Sequence, residues 1–232
     1  MIILAGTSGY SFKEWKGRFY PADLPDSKML EFYATRLPTV EINNTFYRMP
    51  GPELLRGWRE RSPSSFRFAL KAPQRITHRQ RLLDTNESLD RFLSAAGELG
   101  GKLGPVLFQL PPFLRKDIPR LSAFLALIPP PLHAAFEFRH ASWFEDDVYA
   151  ALHARNAALV GGDVDEAAKS PPFVATADWG YLRLRKEEYG PGEIEHWVKR
   201  IKNQDWSAAY VYMKHEVQGP ELAASVNALA GN

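Results

Sequence analysis

Apolar residues follow two alternating patterns along the chain, short strand-like runs and longer stretches with helical spacing. The strand-like runs begin near Ile2, Thr39, Phe66, Pro105, Ala134, Ala157, Gly180 and Ala208. Between most of them, apolar residues three and four positions apart define one face of a helix, as in Leu89, Phe92, Leu93, Ala96 and Leu99. Strands that alternate with helices predict a parallel sheet in an α/β fold.

Eight such units in 232 residues predict one domain, a (β/α)8 barrel of the TIM type over residues 1–232. One unit is incomplete, because the segment between Asp163 and Thr176 is too short for a full helix. A doubly wound open sheet is the alternative, but Gly6-Thr7-Ser8-Gly9 stands where the phosphate-binding G-x-G-x-x-G would follow strand one. The sequence favours a barrel with a degenerate unit between strands six and seven.

Composition excludes several classes of protein. The chain has no cysteine, which removes disulfides, thiolate nucleophiles and cysteine-ligated zinc and fits a reducing compartment. No apolar run approaches the roughly 18 residues of a membrane span, and the first residues lack the basic region of a signal sequence, so we expect a cytoplasmic protein without a membrane partner. The net charge of +2 is compatible with an anionic partner but is far from that of a nucleic-acid coat protein.

Polar side chains take alternate positions near the C-terminal ends of several strands, as in Val40-Glu41-Ile42-Asn43 and Phe136-Glu137-Phe138-Arg139. Strands covered by helices on both faces should be apolar throughout, and successive side chains point to opposite faces. The polar positions therefore belong to the face without helices, inside the mouth of the barrel, the end at which the strands finish. This pattern predicts a charged pocket there, lined by Glu41, Asn43, Lys71, Gln109, Glu137, Arg139, Asp163 and Arg183.

The residue types suggest roles in this pocket. Glu41, Glu137 and His140 are candidate catalytic acids or bases. Lys71, Arg139 and Arg183 suit the binding of an anion better than Schiff-base chemistry at Lys71. The candidate substrate-binding residues are Asn43, Lys71, His78, Gln109, Arg139, Trp143, Asp163 and Arg183. A structural ion pair between Glu137 and Arg139 is the alternative, although burying such charges costs several kcal/mol per ion unless they are well paired.

Metal binding is the less favoured chemistry for the same residues. Glu41, Glu137 and Asp163 are of the ligand type that suits magnesium or manganese. The sequence has neither an H-x-H nor an H-E-x-x-H pair, however, and the cations Lys71, Arg139 and Arg183 would compete with a metal ion. We expect no metal and no cofactor, and a metal-dependent phosphodiesterase or endonuclease stays open as an alternative.

Two loops at the predicted mouth carry cations. The loop after strand three, Gln74 to Arg81, has three arginines, one histidine and no acid, and arginine forks bind phosphate in a bidentate manner. The first loop, Tyr10 to Tyr20, mixes aromatic residues with lysine and arginine, a combination that stacks bases beside phosphates. We expect Phe19 and Tyr20 to pack this loop onto the barrel instead.

Six motifs support a family resemblance. They are Gly6-Thr7-Ser8-Gly9-Tyr10, Val40 to Tyr47, Phe68-Ala69-Leu70-Lys71-Ala72, Ile76-Thr77-His78, Leu103 to Pro112 and Glu137 to Trp143. In order and spacing they resemble the YecE-like family, a bacterial and archaeal domain of unknown function. The resemblance implies a TIM-type barrel and, through similarity of fold, a nuclease-like or nucleic-acid-binding role. The chain departs from the family pattern at Arg185-Lys186 and at Met213-Lys214-His215.

Two hypotheses for function follow. The first is an enzyme, a hydrolase or lyase, that binds a phosphate- or carboxylate-bearing substrate through Lys71, Arg139 and Arg183. The second is a non-catalytic module that binds nucleic acid across the rim of the mouth, through the cations Lys13, Lys16, Arg75, Arg79 and Arg81 and the aromatic residues of the first loop. The partner is then an anionic small molecule or a nucleic acid, and the sequence leaves the oligomeric state unknown.

Overall fold

The computed structural model describes residues 1–214 and 217–231, and these form a closed barrel of eight parallel strands in sequential order. The first and last strands pair with each other, with Gly6 opposite Tyr212, so an open sheet is excluded. The strands are β1 Ile2–Thr7, β2 Thr39–Ile42, β3 Arg67–Lys71, β4 Leu103–Gln109, β5 Ala134–Glu137, β6 Ala158–Asp163, β7 Trp179–Leu184 and β8 Ala208–Met213.

Helices connect the strands and cover the outside of the barrel. Within the described ranges they are α1 Met29–Ala34, α2 Pro52–Glu60, α3 Asn86–Ala96, α4 Ile118–Leu127, α5 Asp146–His153, α6 Glu193–Lys202 and α7 Gly219–Ala230. Between β6 and β7 the chain forms only a short 3-10 turn at Ala167–Lys169, which confirms the degenerate unit. In the part of the chain that the structure describes, no helix has both the length and the apolar character that crossing a bilayer requires.

Outward-facing side chains of the strands form the main core beneath the helices. Phe108 of β4 packs edge-on against Phe124 of α4, with 5.1 Å between the ring centres, and stacks on Phe136 of β5 at 5.3 Å. All three rings are fully buried. Burying a side chain of this size contributes about 1.5–3 kcal/mol, so such contacts hold each helix on its strand pair.

Inward-facing side chains fill the lower part of the barrel with a second, smaller apolar cluster that includes Ala69, Leu107, Val160, Tyr181 and Tyr212. The Tyr212 hydroxyl lies 2.9 Å from Oγ1 of Thr39 on β2, so a hydrogen bond also joins β8 to β2 inside this layer. A filled interior leaves no channel. Polar side chains of the next layer therefore rest on a packed floor.

The first loop is packed down by its aromatic residues, as expected for Phe19 and Tyr20. Tyr20 is buried and its ring centre lies 5.6 Å from that of Phe32 on α1, while Phe19 meets Phe32 at 5.8 Å. Trp15 is also buried and contacts both rings of this pair. These three rings hold the loop on the barrel and are not exposed for stacking on bases.

Candidate functional site

A buried triad of charges, Glu41–Arg183–Glu137, lies directly above the apolar floor. Nη2 of Arg183 donates to Oε1 of Glu41 at 2.9 Å, and Nη1 donates to Oε2 of Glu137 at 2.6 Å. The three side chains are at most 4% exposed. They come from β2, β5 and β7, whose alternation points these positions inward, so one guanidinium joins carboxylates from two other strands.

The Glu41 carboxylate has a full set of donors besides Arg183. Tyr181 of β7 donates its hydroxyl to Oε2 at 2.7 Å, and Asn43 donates Nδ2 to Oε1 at 2.9 Å. Ser8, just after β1, donates its hydroxyl to the same Oε1 at 2.8 Å. A buried carboxylate with this many donors is held in one orientation and in its ionised form.

The Glu137 carboxylate is surrounded by cations. Gln109 of β4 donates Nε2 to Oε2 at 2.8 Å, and Arg185 donates Nη1 to Oε1 at 3.0 Å. Nε of Arg139 lies 3.5 Å from the same Oε1, and the Arg139 side chain is 40% exposed. Arg139 thus extends from the buried triad toward the rim of the mouth.

These contacts fix the protonation of the triad. Burial alone would raise the pKa of Glu137, but Arg183, Arg185, Arg139 and the Gln109 amide more than offset it and lower the pKa to about 2. Burial would also raise the pKa of Glu41, and Arg183 with the hydroxyl and amide donors reverses this and lowers it. Both carboxylates are therefore ionised and very weakly basic at neutral pH, which suits holding Arg183 in place better than transferring protons.

Lys71 ends β3 at the mouth and has a different environment. Its ammonium group lies 4.2 Å from the centre of the Phe46 ring, a cation–π contact, and among the described residues it forms no ion pair with a carboxylate. Burial, followed by repulsion from Arg183 and Arg139, outweighs attraction by the two carboxylates and lowers the pKa of Lys71 to about 8. Lys71 is thus a titratable group of the mouth whose pKa lies near neutrality.

His78 shares the Phe46 ring with Lys71. The His78 and Phe46 rings meet edge to face with 4.8 Å between their centres, and Nδ1 of His78 lies 2.9 Å from the Thr77 hydroxyl. Burial, then repulsion from Lys71 and Arg139, lowers the pKa of His78. His78 is therefore neutral at pH 7 and contributes a hydrogen-bonding ring to the mouth.

Positive charge exceeds negative charge in the mouth. The mouth brings together the cations Lys71, Arg139, Arg183, Arg185 and Lys214 with the carboxylates Glu41 and Glu137. Burial and repulsion from Arg183, Arg185 and Arg139 lower the pKa of Lys214, as burial with Arg183 and Arg139 does for Lys71. Nε of Arg183 and Nε of Arg185 are buried donors without an acceptor among the described protein atoms. The mouth therefore holds cations that repel one another, together with buried donors that have no acceptor among the described protein atoms.

The prediction that Asp163 lines the pocket is wrong. Its Oδ1 accepts from the Tyr189 hydroxyl at 2.7 Å and its Oδ2 accepts from Nε1 of Trp197 on α6 at 2.8 Å, so the carboxylate faces the helix layer. The inward position next to it is Gly162, with φ of +142°, where a Cβ would lie only 2.0 Å from the carbonyl oxygen of Arg183. Asp163 therefore anchors the connection after β7 and does not bind a ligand in the mouth.

Two candidates from the loop after β5 also have structural positions. Trp143 is fully buried, stacks on Phe138 at 4.6 Å and donates Nε1 to the Leu114 carbonyl at 2.7 Å. His140 accepts the backbone N–H of Ser142 at Nδ1, at 3.2 Å, and caps the short turn that contains Trp143. Trp143 is therefore a core residue and not a substrate contact, whereas the catalytic role of His140, which is partly exposed, stays a prediction.

The residues do not fit a metal site. No group of three or more His, Cys, Asp or Glu side chains within residues 1–214 and 217–231 could hold a metal ion. The three carboxylates considered above are separated because Asp163 faces outward, and the other two are both paired with Arg183. A metal-dependent step has no observation in its favour here.

Sequence reasoning missed four residues of the mouth: Ser8, Tyr181, Arg185 and Lys214. Tyr181 and Arg185 lie two positions either side of Arg183, so the alternation that selected Arg183 could have found both. Lys214 lies just after the end of β8, two positions beyond Tyr212. His215, the other departure from the family pattern in this segment, lies outside the described residues.

Comparison with known proteins assigns the family. The family model described as "Protein of unknown function DUF72" matches residues 4–232, so the chain belongs to this family, as the motif resemblance to YecE indicated. The UPF0759 protein YecE of Escherichia coli strain K12 is 34% identical over 116 residues, 50% of this chain and 43% of that protein. The UPF0759 protein YunF of Bacillus subtilis strain 168 is 31% identical over 156 residues, 64% of this chain and 54% of that protein. The matches thus cover about half the length of these relatives.

Solved structures of the family share the fold. A crystal structure of a DUF72 family protein from Thermotoga maritima at 2.20 Å resolution has a TM-score of 0.88 with 23% identity, and all of both chains is covered. A DUF72 family protein from Enterococcus faecalis at 3.10 Å has a TM-score of 0.80 with 18% identity, covering 100% of this chain and 96% of the other. At this identity the likeness concerns the barrel alone.

Proposed function

We propose that the mouth of the barrel binds a small ligand that carries a phosphate or carboxylate group. The single observation that supports this most strongly is the excess of five cations, Lys71, Arg139, Arg183, Arg185 and Lys214, over the two carboxylates Glu41 and Glu137. An anion beside Lys71, Arg139 and Lys214 would relieve their mutual repulsion. Placement at the C-terminal end of the strands agrees with where (β/α)8 barrels bind their ligands.

Roles within this site follow from protonation. Arg139 reaches the rim and offers a planar fork for bidentate binding of the anion. Lys71 has a pKa of about 8, so it is the group that would donate or accept a proton near neutral pH if the ligand is hydrolysed or undergoes elimination. Glu41 and Glu137 hold the arginines and take no proton in this proposal.

Replacing Arg139 tests the proposal. We expect the parent to bind sulfate or phosphate in isothermal titration calorimetry at low salt, and Arg139→Ala to weaken that binding about ten-fold or more, since hydrogen bonds to a charged group contribute about 1.5–3 kcal/mol. The side chain is 40% exposed, so the variant should keep its fold.

Arg155→Ala is the matched control, because it removes an exposed arginine at the opposite end of the barrel. Its anion affinity should equal that of the parent. A parent that binds none of sulfate, phosphate and small carboxylates would contradict the proposal, as would an unchanged affinity in Arg139→Ala.

A second candidate function, binding of single-stranded nucleic acid on the rim, is favoured by one contact. Phe113 is 63% exposed and the Arg81 guanidinium lies 5.4 Å from its ring centre, with Arg75 and Arg79 exposed on the same loop as Arg81. Exposed aromatic rings beside cations are the surface on which unpaired bases stack. In this alternative the chain acts without catalysis.

Salt dependence separates the two functions. Rim binding of an oligonucleotide should weaken steeply with salt, with a slope of about −0.7 per phosphate neutralised, and Phe113→Ala should weaken it further. Fluorescence anisotropy with a labelled oligonucleotide at several salt concentrations gives the slope. A slope near zero, or no binding at low salt, would exclude nucleic-acid binding at the rim. Binding of a small anion in the mouth would then be the function that remains.

For the location of the protein, we propose the cytoplasm. A chain without cysteine is suited to a reducing compartment, where disulfides play no part in stability.

A further inference from the structure

A cleft beside the charged pocket is not used by the proposed anion site. It has a volume of about 700 Å³ and lies between the loops after β1 and β2 and the start of α2. Most of its wall is apolar: Tyr10, Phe12, Tyr47, Met49, Leu54 and Trp58. Its volume is in the range of about 300–1,000 Å³ that small-molecule sites occupy, and a mainly apolar wall with a few polar groups is usual for them.

The cleft connects directly to the buried triad. Ser8 and Asn43 line it, and both donate to the same oxygen of Glu41, Oε1, at 2.8 Å and 2.9 Å. Glu41 is in turn bonded to Arg183. A ligand that reaches Ser8 and Asn43 from the cleft is therefore one side chain away from the cationic part of the mouth.

Two apolar side chains of the cleft are exposed without an evident structural need. Tyr47 is 74% exposed and Leu54 is 46% exposed, although Leu54 lies on a helix whose Leu55 and Trp58 are buried in the core. Four of the six wall residues named above are aromatic. Aromatic walls favour stacked or edge-on contact with another ring, which contributes about 0.5–1.5 kcal/mol beyond burial.

We infer that the ligand of the mouth is an aryl-bearing anion, whose anionic group lies among Lys71, Arg139 and Lys214 and whose ring occupies the cleft. This inference rests on the proposed anion site and names the class of its ligand. It requires a short linker between ring and anion, because Ser8 and Asn43, which line the cleft and bond to Glu41, lie between the cleft and the cations.

A series of phosphate monoesters tests the inference by calorimetry: methyl, butyl, phenyl, benzyl and 2-phenylethyl phosphate. Burial of a ring should make at least one aryl ester bind about ten-fold or more tightly than methyl phosphate. Butyl phosphate should gain less than the best aryl ester, because the walls favour a ring. Binding of butyl phosphate as tightly as the aryl esters would overturn the aryl assignment.

Paired variants locate the ring. Tyr47→Ala/Leu54→Gln should lower the preference for the aryl ester over methyl phosphate by about five-fold or more, with methyl phosphate affinity unchanged. The matched control is Phe113→Ala/Leu83→Gln, since Phe113 is 63% and Leu83 is 48% exposed and neither lines the cleft. This control should leave the preference as in the parent.

The outcomes separate the two proposals. If methyl phosphate and sulfate fail to bind the parent, the anion site itself is wrong, and the inference falls with it. If methyl phosphate binds and no aryl ester binds more tightly, the cleft is not a ring site while the anion site stands. A preference that survives the cleft variant, or that is lost equally in the control variant, would overturn the inference.

Discussion

Arg183→Met should lower the free energy of unfolding by about 3–5 kcal/mol, because it leaves two buried carboxylates without their shared cation. Glu41 is 0% and Glu137 is 2% exposed, so water cannot replace the guanidinium. For a chain of this length the loss corresponds to a drop in melting temperature of roughly 6–20 °C. Urea denaturation at pH 7 with the linear extrapolation gives the value directly.

The loss of unfolding free energy in Arg183→Met, relative to the parent, should depend on pH. In the parent the folded pKa of Glu137 is about 2, against an ordinary value of 4.5, so its ion pairs stabilise the fold above pH 4.5 and this stability is lost as the pH falls toward 2. Without Arg183, burial raises the pKa of both carboxylates and they become protonated more readily. The difference between parent and variant should therefore be largest near pH 7 and should shrink at pH 4.

The triple variant Arg183→Met/Glu41→Gln/Glu137→Gln is the control, since it removes the charges together. The cost of Arg183→Met comes from leaving buried charges uncompensated, and Gln keeps the shape of Glu without the charge, so this variant should recover most of the lost stability. An Arg183→Met protein that loses less than about 1 kcal/mol, within the range of an exposed pair, would show that the triad is not what orders the mouth.

The fold was predictable from local pattern because each unit buries its own strand and helix. Leu89, Phe92 and Ala96 were recognisable as one face of α3, and the short segment after Asp163 as a missing helix, since both follow from spacing and length alone. Barrel closure required more, because pairing of β1 with β8 joins residues about 200 positions apart. Only the number of units indicated it.

The pocket was predictable where the strands alternate between large apolar and polar residues. Glu41, Glu137 and Arg183 have such neighbours, and their inward phase is as predicted. On β6 the residues before Asp163 are Gly161 and Gly162. Because glycine has no side chain, these positions do not show which face of the strand points inward. Asp163 was therefore assigned to the inward face, although it points outward. The predicted acid or base roles of Glu41 and Glu137 depended on pairing across the barrel, which sequence spacing does not give.

Lys71→Met should stabilise the protein at pH 7 and weaken anion binding, which makes it the sharpest test of the charged mouth. The folded pKa of Lys71 is about 8 and its ordinary value is 10.5, so the charged amine destabilises the fold below pH 8. As the pH rises from 8 to 10.5, the unfolded chain holds the proton longer, and stability increases. Methionine keeps the packing on Phe46 without the charge.

The gain at pH 7 should be about 1–2 kcal/mol, a value reduced for the partial exposure of the side chain to screening by solvent, and it should vanish near pH 10.5. Denaturation in urea at both pH values measures it. Lys199→Met removes an exposed lysine of α6 and should change stability by less than about 0.5 kcal/mol at either pH.

Binding supplies the second half of this test. An anion beside Lys71 raises its pKa, so sulfate binding at pH 8.5 should take up protons, which appears as a binding enthalpy that changes with the ionisation enthalpy of the buffer. Lys71→Met should lose this proton uptake and bind sulfate about ten-fold more weakly. A variant that is less stable than the parent at pH 7 and binds sulfate equally well would show that Lys71 serves the fold. The excess of cations in the mouth would then have a structural cause.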